Sequence, residues 1–227
     1  MEMYFAGPSG GRPRKLDSPD SLRTIKSLLR LARKEAPGPA PTFTPPHLLL
    51  VFLTIGGSSY VGRQTLAVRS GVGAGAIRTI LGKLRARGYV GAVRAGCFLT
   101  PSGRRLADSM AASLSVLESF SHSELTMGEN QAALVLRGTG TKVHSGIEQR
   151  DSAIRIGASG ATTYVIRSGR FAIPGGSSDC EKEFPSRAWP VLKNELKPRN
   201  GDVVILCGAV TEVSARLGAL AAAVTLL

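Results

Sequence analysis

Apolar residues recur at helical spacing through the first half of the chain. In SPDSLRTIKSLLRLARKE, Ser18 can cap a helix whose first position suits Pro19. The apolar stripe of this predicted helix is Leu22, Ile25, Leu28, Leu29 and Ala32. The proline-rich segment APGPAPTFTPP then predicts a linker or an extended segment.

Six more elements are predicted between residues 44 and 120. A helix begins at Thr44 and ends at Gly56-Gly57, and further helices cover residues 62–70 and 74–87. YVGAVRAGCFLT predicts two short strands around the turn at residues 94–96. A last helix begins at Thr100-Pro101, and its apolar stripe is Leu106, Met110, Leu114 and Leu117.

The pattern changes after a polar boundary near residues 120–130. The second half predicts the order β-α-β-β-α-β-α, with a Ser168-Gly169 hairpin turn inside ATTYVIRSGRFAIPG. That order matches a ferredoxin-like plait with an added C-terminal helix. We therefore predict an α+β protein with a basic disordered tail over 1–16, a helix and linker over 17–43, and two domains over 44–122 and 130–227.

Positive charge is concentrated in one half of the chain. The 227 residues carry a formal net charge of +13. Residues 1–110 hold 17 Lys and Arg against 5 Asp and Glu, whereas residues 111–227 hold 12 against 11. Between Ala36 and Ala107 there are nine basic residues and no acidic one. A surface that faces phosphates needs this composition, because each carboxylate would repel the nucleic-acid backbone.

The stretch LAVRSGVGAGAIRTILGKLRARGYV resembles the winged-helix transcriptional regulators. The resemblance covers about residues 44–120 and rests on the Leu-Ala pair of the short helix, the turn before Val72, the inward Ile77, Leu81 and Leu84, and Gly88-Tyr89-Val90 before the wing. FLTPSGRRLA resembles the end of the wing and the next helix. The resemblance implies that the helix over 74–87 enters the major groove of double-stranded DNA.

One residue departs from the winged-helix pattern. Gly73 stands where a Ser or Asp usually caps the recognition helix, and small residues follow it. These residues allow a close approach to DNA but contact few base edges, so Arg78 and Thr79 are the better candidates for base contacts. The predicted DNA-binding residues are Arg63, Arg69, Ala74, Gly75, Arg78, Thr79, Lys83, Arg85, Arg87 and Arg94.

The glycine loop in LVLRGTGTKVHSGIEQRD precedes a predicted helix, whose N-terminus could hold an anion. The candidate effector-binding residues are Lys142, Ser145, Arg150, Asp151, Thr162 and Thr163. The alternative is a tight loop that needs glycine for its backbone, with Ser145 serving only as a helix cap. The loop has neither the Walker nor the dinucleotide glycine pattern.

The whole chain resembles an uncharacterised archaeal family with an N-terminal winged helix and a C-terminal α/β domain. The resemblance rests on RGTGTKVHSGIEQRDSAIRIGASGATTYV and GDVVILCGAVTEVSARLGALAAA, and it implies a regulator without naming a ligand. We expect no catalytic site, no metal site and no cofactor, because three separated cysteines and three scattered histidines lack ligand spacing.

The sequence thus predicts a cytoplasmic DNA-binding transcriptional regulator with a sensing or dimerisation domain. The alternative is an enzyme or ligand-binding module whose winged helix contacts another protein. We expect a homodimer, since winged-helix regulators commonly pair on two half-sites. The stripes of the first helix and of the helix after the wing, or an open face of the sheet, would supply the interface. Alternatively, the two stripes complete the core of a monomer.

Overall fold

The computed structural model describes residues 18–33, 41–120 and 122–227. The predicted tail over 1–16 and part of the proline-rich linker lie outside the described residues. The chain divides into two compact units between Met110 and Ala111. This boundary lies before the one expected near residues 120–130, because the segment after Ala111 joins the sheet of the second unit.

The N-terminal unit holds the elements that the apolar pattern predicts. They are α1 Ser18–Arg30, α2 Pro45–Gly56, α3 Arg63–Ser70, α4 Ala74–Ala86, β1 Val90–Val93, β2 Gly96–Leu99 and α5 Pro101–Ala111. The two strands form an antiparallel hairpin, and an isolated bridge joins Val61 to Cys97 of β2. Val61, which lies between α2 and α3 in the chain, therefore pairs with the hairpin as a single-residue third strand.

Helix α2 forms the centre of this unit because it is apolar on nearly every side. Its residues from Leu48 to Phe52 are all buried. Helix α1 contacts it and buries Ile25, Leu28 and Leu29. The apolar stripe of α1, which we expected to be available for dimerisation, is thus mostly covered within the chain itself.

The helix after the hairpin is shorter than predicted. It ends at Ala111, and Leu114 and Leu117 lie in strand β3, Leu114–Phe120. Both leucines fit a helical stripe that begins at Leu106, so the sequence pattern is ambiguous. Pairing with the next strand decides it, because Leu114 lies opposite Leu136 and the backbone hydrogen bonds are made across the sheet. The predicted four-residue stripe is therefore wrong beyond Met110.

The C-terminal unit mixes one sheet with several helices, which confirms the α+β class. Its further elements are β4 Asn130–Leu136, a 3-10 turn Gly140–Lys142, α6 Ile147–Arg155, β5 Gly160–Arg167, β6 Arg170–Ala172, α7 Cys180–Glu183, α8 Ala188–Leu196, β7 Val203–Ala209 and α9 Glu212–Val224. The strand order is β3-β4-β7-β5-β6, and all neighbouring strands are antiparallel.

This strand order corrects the prediction of a ferredoxin-like plait. In that plait the third strand of β-α-β-β-α-β lies between the first and the second. Here β7, the last strand, lies between β4 and β5, and the short β6 lies at the edge. Because every residue of β7 is buried, this strand takes the central position, whereas three-residue β6 with exposed Arg170 suits an edge.

Helices cover both faces of the sheet. On one face, α7 and α8 close a core that contains Tyr164, Phe171 and Trp189. On the other face, α6 and α9 pack on β4, β5 and β7. More than half of the residues of α9 are Ala, Gly or Ser, and a Cβ atom at Gly218 would collide with the Cys207 sulfur. The open sheet face that we expected as a dimer surface is therefore covered in this unit.

A buried ion pair joins the end of β4 to the start of β7. Arg137 Nη1 lies 2.7 Å from Asp202 Oδ2, and its guanidinium also donates to the carbonyls of Leu196 and Lys197 at the end of α8. Asp202 is only 4% exposed and accepts hydrogen bonds from the backbone N–H groups of Gly138 and Arg199. This network satisfies both charges and fixes the end of α8.

Among the described residues, no helix combines the length and apolarity required to traverse a lipid bilayer.

Candidate nucleic-acid interface

Helix α4 is positioned by a buried stripe on one side. Ala76, Ile77, Ile80, Leu81 and Leu84 are all buried. The helix begins after Gly73, which has extended backbone angles, and the N–H of Ile77 donates to the Gly73 carbonyl at 3.1 Å. The apolar spacing therefore fixes which side of α4 faces solvent.

The outer side of α4 is exposed and sterically open. Gly75, Arg78, Thr79, Gly82 and Arg85 are exposed. A Cβ atom added at Gly75 or Gly82 would meet no atom within 4 Å. The Thr79 hydroxyl donates to the Gly75 carbonyl at 3.1 Å, so it lies flat along the helix. The outer side of α4 therefore has few protruding side chains between Arg78 and Arg85, so a polyanion can approach it closely.

Most of the predicted arginines are exposed and have no acidic partner. Arg63, Arg78, Arg85, Arg87 and Arg94 are exposed, and none of them forms an ion pair with any of the residues that the structure describes. The sequence contains no acid from residue 36 to residue 107, so no carboxylate within that stretch neutralises them. Their positive potential is therefore directed to solvent.

Two helix N-termini on the same segment lack side-chain caps. Gly62 precedes α3 and Gly73 precedes α4, and neither position supplies a side-chain hydrogen bond. Both glycines are exposed. The first N–H groups of a helix have no partner within it and carry the positive end of its dipole. Oxygen atoms of a phosphate can bind such groups.

The hairpin places Arg94 at its tip. Val93 pairs with Gly96, and Arg94 and Ala95 form the exposed turn between them. On the outer side of the hairpin, Phe98 meets Tyr60 edge to face, with ring centroids 5.9 Å apart. The sequence analysis missed Tyr60 and Gly82, because their exposure depends on the hairpin and on the orientation of α4.

Two predicted DNA-binding residues are less open than the sequence suggested. Lys83 is half-buried, and its Nζ donates to the Arg33 carbonyl at 3.1 Å. Arg69 is half-buried in the last turn of α3. Ala74 is exposed at the first position of α4, as expected from the pattern. Arg85 and Arg87 are therefore the more accessible cations near the end of α4.

Five of the six candidate effector residues form hydrogen bonds or ion pairs within the protein. Lys142 Nζ donates to the Leu226 carbonyl at 2.6 Å. The Ser145 hydroxyl accepts a long hydrogen bond of 3.4 Å from the N–H of Ile147. Arg150 pairs with its neighbour Asp151 at 3.0 Å. Each of these polar groups has a partner within the protein, which agrees with the alternative of a structural glycine loop.

The two threonines of β5 point to opposite sides of the sheet. Thr162 Oγ1 donates to the Leu125 carbonyl at 3.0 Å. Thr163 is 3% exposed and lies against Gly146, which precedes α6 with a positive φ of 80°. Its Oγ1 has no hydrogen-bond partner among the described residues. This buried hydroxyl is closed off by packing, and Glu148 in the first turn of α6 disfavours an anion there.

The three cysteines are buried. Cys97, Cys180 and Cys207 are free thiols in the core. Burial raises the pKa of the Cys207 thiol to about 12, and burial likewise raises the pKa of Cys180. Within the described ranges, no three residues among His, Cys, Asp and Glu come together as metal ligands would.

Most of the C-terminal unit matches a known domain family. Residues 127–226 match a family described as "Domain of unknown function (DUF4443)". The chain also resembles the solved structure of "Hypothetical protein PH0730" from Pyrococcus horikoshii OT3. That likeness has a TM-score of 0.65 and 25% sequence identity, and it covers 81% of this chain and 92% of the other. The search of curated proteins gives no match. The matched domain and the archaeal neighbour fit an uncharacterised archaeal family.

Proposed function

We propose that this chain is a DNA-binding transcriptional regulator whose N-terminal unit binds duplex DNA. The observation that carries the proposal is the outer side of α4. It is exposed, has open space at Gly75 and Gly82, and presents Arg78 and Arg85, which have no acidic partner among the described residues. A solvated helix kept only for solubility normally mixes both signs of charge.

The element order of the unit supports a winged helix-turn-helix. Helix α2, the Val61 bridge, α3, α4 and the β1–β2 hairpin follow one another as the first helix, first strand, second helix, recognition helix and wing do in that motif. In this proposal α4 lies in the major groove and the hairpin follows the adjacent backbone.

The residues divide into base-contacting and phosphate-contacting groups. Arg78 lies on the second turn of α4, where its guanidinium can reach the edge of a guanine. The open N-termini of α3 and α4 and the arginines Arg63, Arg85, Arg87 and Arg94 bind phosphates. Phosphate contacts position the protein on DNA and base contacts supply the specificity.

The C-terminal unit, in this proposal, senses a small molecule or mediates assembly. A cytoplasmic homodimer stays a prediction. Of the surfaces expected to form its interface, the α1 stripe is mostly buried and the sheet faces are covered. The third expected surface, the stripe of the helix after the wing, keeps Leu106 and Met110 in α5, and Met110 is buried.

The first test is the salt dependence of binding to duplex DNA. Fluorescence anisotropy with labelled genomic fragments measures the dissociation constant at 50 and 200 mM salt. About six phosphate contacts would weaken binding by ~10³-fold over that range. If the protein binds no duplex DNA at 50 mM salt, the proposal is wrong and the use of the N-terminal unit for protein contact takes its place.

A matched pair of variants at Gly82 tests the proposed surface itself. Gly82→Glu adds a carboxylate to the middle of the outer side, and Gly82→Gln adds a side chain of the same shape without charge. Both fit the open space, and both should hold or raise helix stability, since glycine costs ~1 kcal/mol inside a helix.

We expect Gly82→Glu to bind DNA at least ~10-fold more weakly than Gly82→Gln at 50 mM salt, because the carboxylate repels phosphate. The difference should shrink as salt rises. Equal binding by the two variants would show that DNA does not contact this side of α4.

A further inference from the structure

The hairpin of β5 and β6 brings two arginines directly opposite each other. Arg167 pairs in register with Arg170 across a two-residue turn. Ser168 and Gly169 form that turn with positive φ angles of 50° and 74°, as a tight hairpin turn requires. Like charges that face each other in an antiparallel pair are destabilising. The arrangement therefore favours an anion beside the turn.

Only part of this positive charge is compensated within the described residues. Arg170 Nη1 lies 2.9 Å from Asp179 Oδ2. Asp179 also accepts a hydrogen bond from the N–H of Lys182, which fixes its position. Arg167 is exposed and forms no ion pair with any residue in the described ranges. One guanidinium is thus held in place by a carboxylate, and the other is available.

A glycine-serine loop follows β6 and lies next to these arginines. The N–H of Gly176 donates to the Ile173 carbonyl at 2.9 Å, and the N–H of Ile173 donates to the Ser177 carbonyl at 2.8 Å. Gly175 has a φ of 76°. The backbone N–H groups of Gly175, Ser177 and Ser178 have no acceptor among the residues that the structure describes. The loop is therefore closed by its own hydrogen bonds and retains unused donors.

An open cleft of about 510 Å³ lies between the hairpin and this loop. Arg167, Ser168 and Arg170 line one side, and residues 175–178 line the other. Among the described residues, none that lines the cleft is acidic, and Asp179 is paired with Arg170. The lining thus combines guanidinium groups, hydroxyl groups and a loop with free N–H donors, all of which bind anions.

We propose that this cleft binds the phosphate group of a small molecule. A carboxylate has two oxygen atoms, which a single guanidinium can satisfy. A phosphate has three terminal oxygens and carries more charge near neutral pH, so it matches donors on both sides of the cleft. Arg167 holds the phosphate, Arg170 adds guanidinium N–H donors from its fixed position, and the loop supplies backbone N–H donors. This site shares no residue with the expected effector residues, and it does not depend on DNA binding.

The test is a titration of the ¹⁵N-labelled full-length protein with inorganic phosphate, followed by NMR at constant ionic strength. Signals from Gly175, Gly176, Ser177 and Ser178 report this cleft separately from phosphate bound at the basic surface of α4. We expect these signals to shift with a saturable curve. In Arg167→Gln the dissociation constant should rise at least ~10-fold, whereas the matched control Arg155→Gln should behave as the unchanged protein.

Two results would overturn the proposal. The first is that the loop signals do not shift, or shift equally in Arg167→Gln while the remaining spectrum shows an intact fold. The second is that acetate shifts the same signals at concentrations as low as phosphate does, which would assign the cleft to carboxylates instead.

Discussion

The arginines around α3, α4 and the hairpin have no carboxylate partners in the described residues, whereas at least five basic side chains of the C-terminal unit do. Arg137, Arg150, Arg170, Lys193 and Arg216 each form an ion pair there. In the described part of the N-terminal unit, the recorded ion pair joins Arg23 and Asp20 on α1, at 3.6 Å. The two halves carry net charges of +12 and +1.

The basic side chains of the two units therefore have different roles. In the C-terminal unit, pairing neutralises basic side chains and, at Arg137, joins separate elements of the fold. In the N-terminal unit, packing relies on apolar helices such as α2, and the arginines remain on the outside. Removing a paired charge such as that of Arg137 should therefore lower stability. Removing a charge that has no carboxylate partner in the described residues, such as that of Arg78, should instead weaken binding to an external anion.

The largest expected effect is on the stability of the C-terminal unit. Arg137→Met leaves the nearly buried Asp202 carboxylate without its ion-pair partner, which we expect to cost about 3–5 kcal/mol of unfolding free energy. Arg150→Met is the control, because its exposed pair with Asp151 should contribute less than about 1 kcal/mol. Urea unfolding followed by the fluorescence of Trp189, which lies in the core of this unit, measures both. Equal losses in the two variants would contradict the structural role of Arg137.

Local patterns predicted most of the helices, because these have their own apolar stripe and end signals. The exceptions are α5, which ends before its stripe does, and the short α7, which was not predicted. The stripe of α4 and the glycines on either side of it are sufficient to locate that helix and its exposed side. The Ser168-Gly169 turn was also visible, since two residues between alternating strands leave few other choices. In both cases the information lies within a few residues of the element.

Strand β3 and the sheet order could not be predicted in the same way. Leu114 and Leu117 continue a helical stripe, and their assignment to a strand depends on β4, some twenty residues further along the chain. The central place of β7 likewise depends on pairing with two strands that are distant in sequence. Long-range partners override local propensity here.

The candidate sites show the same limit. The exposure of Arg78 and Arg85 follows from the α4 pattern, but the contact of Lys83 with the Arg33 carbonyl depends on where α1 ends. The cleft beside Arg167 had a local signal, namely two arginines flanking a two-residue turn and then a glycine-serine loop. The sequence alone does not show that the loop folds back toward the arginines.

A second prediction concerns the unpaired arginines of α4. Arg78→Ala should reduce discrimination between DNA sequences by about 1–3 kcal/mol, whereas Arg85→Ala should weaken binding to all sequences and lower the salt slope by about one. Arg85 is the better phosphate contact to test, since Lys83 is engaged by a backbone carbonyl. Anisotropy with a selected and a scrambled duplex measures both effects.

The control is the unfolding free energy of both variants, which shows whether each arginine contributes to stability. Neither arginine has an ion pair in the described residues, so each substitution should change unfolding free energy by less than about 0.5 kcal/mol. If Arg78→Ala lowers binding equally for both duplexes, Arg78 is a phosphate contact and the base contacts lie elsewhere on the unit.

The smallest expected effect lies inside the N-terminal unit, at the start of α2. The Nδ1 atom of His47 accepts a hydrogen bond from the Thr44 N–H at 3.2 Å, which requires the neutral imidazole. Burial lowers the pKa of His47 below its ordinary value of about 6.5. The unfolded chain therefore takes up the proton more readily, so this contribution to stability is present above about pH 6.5 and is lost as pH falls through the lower folded-state pKa.

We expect a loss of no more than about 1 kcal/mol between pH 7 and pH 5, measured from thermal unfolding by circular dichroism. His47→Gln keeps an acceptor for the Thr44 N–H but does not titrate, so its stability should depend less on pH over this range. An unchanged pH dependence in His47→Gln would assign the effect to other groups. Unchanged stability of the unit in Arg78→Ala would still show that its internal packing does not depend on its exposed charge.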